Sequence, residues 1–179
     1  MRNTLLFTLF IAAAAVGCKD KKKDGEGGTP VAGEGGGGGG APATPPAKMV
    51  ELDASSAGEA YAGWKLQAPE GATAKEDFGA LLVSDGKGFQ LEVHEGADLA
   101  ARKKEIEAND VNKLKGFVTD KPDVLLYKSD PGIGGVQHHF LATVKVGGAD
   151  YSCENAKGAT NYTQAQCEAM IAACQSIKK

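Results

Sequence analysis

A low-complexity segment over residues 19–47 restricts which part of this chain can form a globular domain. The segment starts rich in lysine, contains six consecutive glycines at 35–40, and ends rich in proline and alanine. It has no aromatic residue and few apolar side chains, so ordering it would lose backbone entropy without compensation. Coil statistics give such a segment a typical span of about 30 Å. The sequence therefore predicts a disordered tether over 19–47, followed by a single globular domain over 48–179.

The residues before this tether have the layout of a secretory signal peptide. Arg2 supplies a positive start, and an almost uninterrupted apolar run over 5–16 leads through small residues into Cys18. A run of about a dozen apolar residues is too short for the ~20 that a membrane-spanning helix needs. The sequence Ala15-Val16-Gly17-Cys18 resembles the lipobox of bacterial lipoproteins, although that family more often has leucine in place of Ala15.

The resemblance implies that residues 1–17 are removed as a signal peptide and that Cys18, lipidated with fatty acids such as palmitate, becomes the first mature residue. Residues 18–47 would then form a lipidated tether, and several acyl chains would anchor it stably in a membrane. In the enteric sorting rule, aspartate directly after the lipidated cysteine favours the inner membrane. Lys19 stands there, so we expect the periplasmic face of the outer membrane. The alternative is an ordinary secretory signal that is cut near Ala14 or Gly17.

Alternating apolar and polar residues, interrupted by turn residues, predict several strands in the domain. The predicted strands cover residues 64–68, 80–83, 89–93, 117–119, 124–127, 136–146 and 149–153. Asp85-Gly86 lies between the second and third of these strands, and Gly147-Gly148 lies between the last two. Both pairs are typical of β-hairpin turns.

Two helices are predicted from their start signals. Asp98 is a good N-cap for a helix from Leu99 to about Leu114, which the Asn109-Asp110 pair would break or kink. Thr163-Gln164-Ala165-Gln166 fits a capping box for a C-terminal helix. The apolar stripe of this second helix consists of Cys167, Met170 or Ile171, Cys174 and Ile177.

Together these elements predict an α+β fold, with a mainly antiparallel sheet and two principal helices, one mid-chain and one C-terminal. The layout resembles the PsbP-like fold of small accessory proteins. The resemblance rests on the pattern Trp64-x-Leu66-x-x-Pro69-x-Gly71, on a hairpin followed by a helix, and on a closing strand pair before a terminal helix. Members of that fold more often bind partners or assist complexes than catalyse, so the resemblance implies a binding or accessory domain.

Three cysteines remain besides Cys18, and export would favour a disulfide bond between two of them. Cys167 and Cys174 lie two turns apart on the predicted helix, about 10.5 Å along its axis, beyond the ~7 Å between Cα atoms that a bridge allows. Cys153 is therefore expected to pair with either Cys174 or Cys167. We favour Cys174, because that bond would pin the end of the terminal helix. Cys167 would then be a small buried apolar residue rather than a reactive thiol.

The histidines His94, His138 and His139 do not predict a metal site. Adjacent histidines on a strand point to opposite faces of a sheet, so the last two are not expected to bind one ion together. His94 and one member of that pair could converge if their strands were neighbours, with Glu92 or Glu95 as a third ligand. Ordinary sheet histidines are the expectation.

The sequence has no Gly-x-Ser-x-Gly elbow, no Cys-x-x-Cys motif and no zinc-site cysteine spacing, and such patterns are what would indicate these chemistries. We therefore assign no catalytic residue, metal or cofactor. The net charge of −3 gives no basic footprint for nucleic acid. The sequence predicts a lipid-anchored cell-envelope protein, not an enzyme, whose domain binds an envelope protein or a small ligand. The alternatives are an envelope enzyme, with or without a metal, and a passive structural spacer.

Overall fold

The computed structural model describes residues 48–156 and 161–179. The leader, Cys18 and the tether lie outside the described residues, so the predictions on them remain predictions. In chain order, the described elements are β1 (Met49–Asp53), two short 3-10 turns (Ala54–Ala57 and Glu59–Tyr61), β2 (Lys65–Pro69), β3 (Thr73–Asp77), β4 (Ala80–Ser84), β5 (Gln90–Glu95), α1 (Leu99–Glu107), β6 (Lys113–Asp120), β7 (Val124–Asp130), β8 (Gln137–Val146), β9 (Ala149–Asn155) and α2 (Gln164–Gln175).

The main element of the fold is a seven-stranded sheet in the order β3-β4-β5-β9-β8-β7-β6. All neighbouring strands in it are antiparallel. Strands β1 and β2 form a separate antiparallel pair. The predicted α+β class, with a mid-chain and a C-terminal helix, is confirmed, and none of the described helices combines the length and apolar character needed to cross a membrane.

Helix α2 packs on one face of the large sheet, strand β2 contacts α2, and side chains of all three form the main core. The alternation predicted for β5 is present, because Leu91 and Val93 are both buried in this core. The predicted capping box also forms: the Thr163 hydroxyl accepts from the Gln166 amide at 3.2 Å, and the Gln166 side chain accepts from the Thr163 amide at 2.8 Å. The fully buried α2 side chains are Cys167, Met170, Ala173 and Cys174.

Helix α1 lies on the other side, where Leu99 forms a second, smaller cluster with Leu125 and Leu141. Asp98 caps this helix as predicted, accepting from the Ala101 amide at 2.9 Å. The predicted extension to Leu114 is wrong, since the helix ends at Glu107 and Leu114 belongs to β6.

The early end of α1 has a local cause. The Asn109 side-chain oxygen accepts hydrogen bonds from the amides of Val111 and Asn112, at 3.0 and 2.8 Å. Asparagine commonly bonds in this way to the backbone a few residues ahead of it, and the result is a turn instead of another helical turn.

A two-residue turn, Phe78-Gly79, joins β3 to β4 across the paired residues Asp77 and Ala80. Phe78 has φ of 50° and Gly79 has φ of 82°, as the type I′ hairpin turn requires. Among the described residues Phe78 is the only non-glycine with positive φ, and its side chain is fully exposed. The ring therefore packs on nothing that would offset the left-handed backbone.

Phe78→Asn is expected to raise the free energy of unfolding by about 0.5–1 kcal/mol, because asparagine tolerates the left-handed conformation far better than phenylalanine. Chemical denaturation measures the change. Ile133→Asn is the matched control, since it also removes an exposed apolar side chain but at a residue without positive φ. A Phe78→Asn protein no more stable than the control would contradict this account of the turn.

Candidate functional site

A cleft of about 450 Å³ opens between α1 and the large sheet, and we call it the α1 cleft. Strand β5, helix α1 and strands β8 and β9 all contribute to its walls. The lining residues are His94, Asp98, Leu99, Ala101, Arg102, Glu105, Leu141, Ser152 and Glu154. Most of these side chains are polar or charged, so the cleft offers a ligand charged and hydrogen-bonding groups beside apolar surface.

The polar side chains of the cleft follow from strand alternation. Leu91 and Val93 of β5 enter the main core, so Glu92 and His94 project from the opposite face of the sheet. Strand β9 pairs with β5 in a register that places Glu154 opposite Glu92. One strand pair therefore both builds the core and brings these three polar side chains together.

Glu92, His94 and Glu154 form a compact cluster at the edge of the cleft. The Nε2 atom of His94 lies 3.3 Å from Oε2 of Glu92 and 3.5 Å from Oε1 of Glu154. One ligand atom from each residue can be chosen such that all three lie within 4.8 Å of one another. The side chains are 21%, 39% and 12% exposed, respectively, so the cluster is partly open to solvent, although the Nε2 atom of His94 itself is shielded.

Arg102 of α1 completes the charge pattern around the cluster. Its Nη2 atom lies 3.1 Å from Oε2 of Glu154, and its Nη1 atom lies 3.4 Å from Oε2 of Glu105. Glu154 thus turns one carboxylate oxygen toward His94 and the other toward Arg102. The guanidinium of Arg102 holds the orientation of that carboxylate.

The charge of Glu154 also acts on one ring of β7 and one ring of β8. Burial, followed by the charge of Glu154, raises the pKa of Tyr127 to about 12, and the charge of Arg102 acts in the opposite direction. Burial also lowers the pKa of His139, with the charge of His138 acting in the same direction and that of Glu154 opposing it. The Tyr127 and His139 rings lie against each other with centroids 5.4 Å apart.

The residues near His94 differ from those that the sequence analysis considered as its possible co-ligands. Strand β9 lies between β5 and β8, so His94 does not converge with His138 or His139. Glu95 is exposed and takes no part in the cluster, whereas Glu92 does. Glu154 was missed by the sequence analysis, because only the pairing of β5 with β9 brings it there.

Among the described cysteines, Cys153 and Cys174 form the disulfide bond, with Cα atoms 6.1 Å apart. The alternative partner, Cys167, is a free and buried thiol. Burial, followed by the nearby charge of Glu168, raises the pKa of the Cys167 thiol to about 12. A buried thiol that hardly ionises is a packing residue, because only the thiolate is reactive.

Comparison of the chain with protein-family models, with curated proteins and with solved structures finds no significant match. The resemblances to bacterial lipoproteins and to the PsbP-like fold therefore remain predictions.

Replacing both Cys153 and Cys174 by alanine is expected to lower the free energy of unfolding by about 3 kcal/mol. The bond contributes this amount because closing a loop of this length reduces the entropy of the unfolded chain. The bonded residues are separated by 21 positions. Urea denaturation measures the loss. Cys167→Ala is the control, since it removes a buried sulfur without breaking a bond, and a double variant as stable as this control would contradict the role of the bridge.

Proposed function

We propose that this chain is a lipid-anchored protein of the cell envelope. In this proposal Cys18 carries the lipid, residues 19–47 are the tether, and the domain over 48–179 binds a ligand or partner outside the cytoplasm. The α1 cleft is the binding surface. The proposal assigns the domain a binding or accessory role and no catalytic activity.

The observation that carries the proposal is the disulfide bond between Cys153 and Cys174. Disulfide bonds form and persist in oxidising compartments such as the periplasm and are rare in the cytosol of most organisms. The bond joins β9 to α2 within the main core, where both sulfurs are buried and contribute to stability. A domain held by such a bond fits a chain whose leader resembles an export signal.

The leader and the tether support the same proposal from the sequence. A lipobox-like sequence ending at Cys18 provides the anchor, and a tether with a typical span of about 30 Å lets a domain stand clear of the lipid surface. The α1 cleft supports the binding role, because it is open and has charged groups of both signs in its walls.

Cys18→Ala is expected to abolish labelling of the chain by a fatty acid and to leave the leader attached, because the thiol that carries the lipid is gone. Expression of the full chain in a Gram-negative host, followed by labelling with a clickable fatty acid and intact mass analysis, tests this. Cys167→Ala is the matched control and should keep its label. An unlabelled wild-type chain with a free Cys18 thiol would overturn the lipid anchor.

Lys19→Asp is expected to move the protein from the outer-membrane fraction to the inner-membrane fraction of an enteric host, by the sorting rule for the residue after the lipidated cysteine. Density-gradient separation of the two membranes measures the distribution. Lys21→Asp makes the same charge change two residues later and should leave the distribution unchanged. Equal distributions of all three proteins would contradict the outer-membrane assignment.

A further inference from the structure

Two carboxylates face each other directly in the sheet beside the α1 cleft. Glu92 and Glu154 are partners in the register of β5 and β9, and like charges in such positions destabilise a sheet. Their side chains are only 21% and 12% exposed, so water screens the repulsion incompletely. Arg102 supplies one positive charge, but through the Glu154 oxygen that points away from His94. The pair therefore favours a further cation between them.

The Nε2 atom of His94 lies close to both carboxylates. This atom is shielded from solvent and has no hydrogen-bond partner among the described residues, although a carboxylate oxygen lies on either side of it at 3.3 and 3.5 Å. A ring nitrogen held this close to two carboxylates, without bonding either, is placed to share an ion with them.

The spacing of these atoms fits a metal ion. In a tetrahedral zinc site, bonds of 2.0–2.2 Å to nitrogen and oxygen put neighbouring ligand atoms about 3.3–3.6 Å apart. The two distances from His94 fall in this range, and all three ligand atoms lie within 4.8 Å of one another.

We propose that Glu92, His94 and Glu154 bind a divalent transition-metal ion, with a fourth coordination position open to the α1 cleft. This inference rests on the proposed function and deepens it, since it names the class of ligand that the cleft takes. Arg102 is the positioning residue: it fixes the second oxygen of Glu154, as outer partners of ligating carboxylates do.

The donor set selects the class of ion. One imidazole nitrogen and two carboxylate oxygens suit zinc and its neighbours in the first transition row. Calcium takes six to eight oxygen ligands, and magnesium needs near-ideal octahedral oxygen geometry. Zinc is therefore the appropriate probe, and calcium and magnesium are the comparison ions.

The test is a calorimetric titration of the full chain, purified in detergent without a polyhistidine tag and stripped with a chelator, against Zn²⁺. One ion is expected to bind per chain and to raise the melting temperature. His94→Gln and Glu92→Gln are each expected to weaken binding by more than about 100-fold, because direct ligands matter at least as much as their outer partners. Arg102→Gln should weaken Zn²⁺ binding by about 10-fold or more, because Arg102 orients the ligand Glu154 without touching the ion.

Two matched controls separate this site from general binding to surface groups. His138→Gln removes a histidine from another strand, and Glu95→Gln removes an exposed carboxylate next to His94. Both should bind Zn²⁺ as the wild type does. Melting curves of the stripped proteins show whether each variant is folded, and Glu154→Gln serves as a further ligand variant if Glu92→Gln does not fold.

Three outcomes would overturn the proposal: no binding of Zn²⁺, equal affinity in the His94→Gln and His138→Gln proteins, or preference for Ca²⁺ or Mg²⁺ over Zn²⁺. Failure of the metal site and failure of the proposed function are distinguishable. A chain that carries lipid on Cys18 but binds no zinc keeps the envelope assignment and loses the metal. A chain that binds zinc without lipid keeps the metal site and loses the anchor.

Discussion

The pairing of β5 with β9 is the interaction on which the rest of the domain depends. It joins β3, β4 and β5 to the group of β6 to β9, and without it the seven-stranded sheet would be two separate pieces. It also places Val93 opposite Cys153, which is bonded to Cys174 of α2. On the opposite face the same register brings Glu154 to Glu92. Core, disulfide and charged cluster therefore follow from one set of backbone hydrogen bonds.

Turns and helix starts could be predicted from the sequence, because a few neighbouring residues determine them. The Gly147-Gly148 turn, the Asp98 cap and the capping box at Thr163 all have the predicted structures. Strands β1 and β3 were not predicted. The sequence of β3, Thr-Ala-Lys-Glu-Asp, has little apolar alternation, and β3 is a strand because it hydrogen-bonds along an edge of the sheet beside β4. An edge strand with charged side chains also discourages pairing with other chains.

The candidate site could be predicted only in part, and for a physical reason. Glu92 and His94 share a face through the two-residue period of a strand, which the sequence shows directly. Their third neighbour, Glu154, comes from a strand some sixty positions later, and no local signal in the sequence gives the register of that strand with β5. The pairing of Cys153 could be narrowed by sequence, because helix geometry forbids a bond between Cys167 and Cys174. Whether Cys153 bonds Cys167 or Cys174 depends on how α2 packs on the sheet, which the sequence does not show.

The two faces of the large sheet differ in character: one forms the main core, and the other has the charged cluster. On the α2 side, fully buried side chains such as Phe140 and Met170 form the main core, and an ionised carboxylate placed there would lose its hydration at a cost of several kcal/mol. On the α1 side, a nine-residue helix is held mainly by Leu99 against Leu125 and Leu141. This cover is too small to exclude water from the sheet beside it. Glu92, His94 and Glu154 therefore lie partly exposed on this face, while the side chains of the opposite face form the main core.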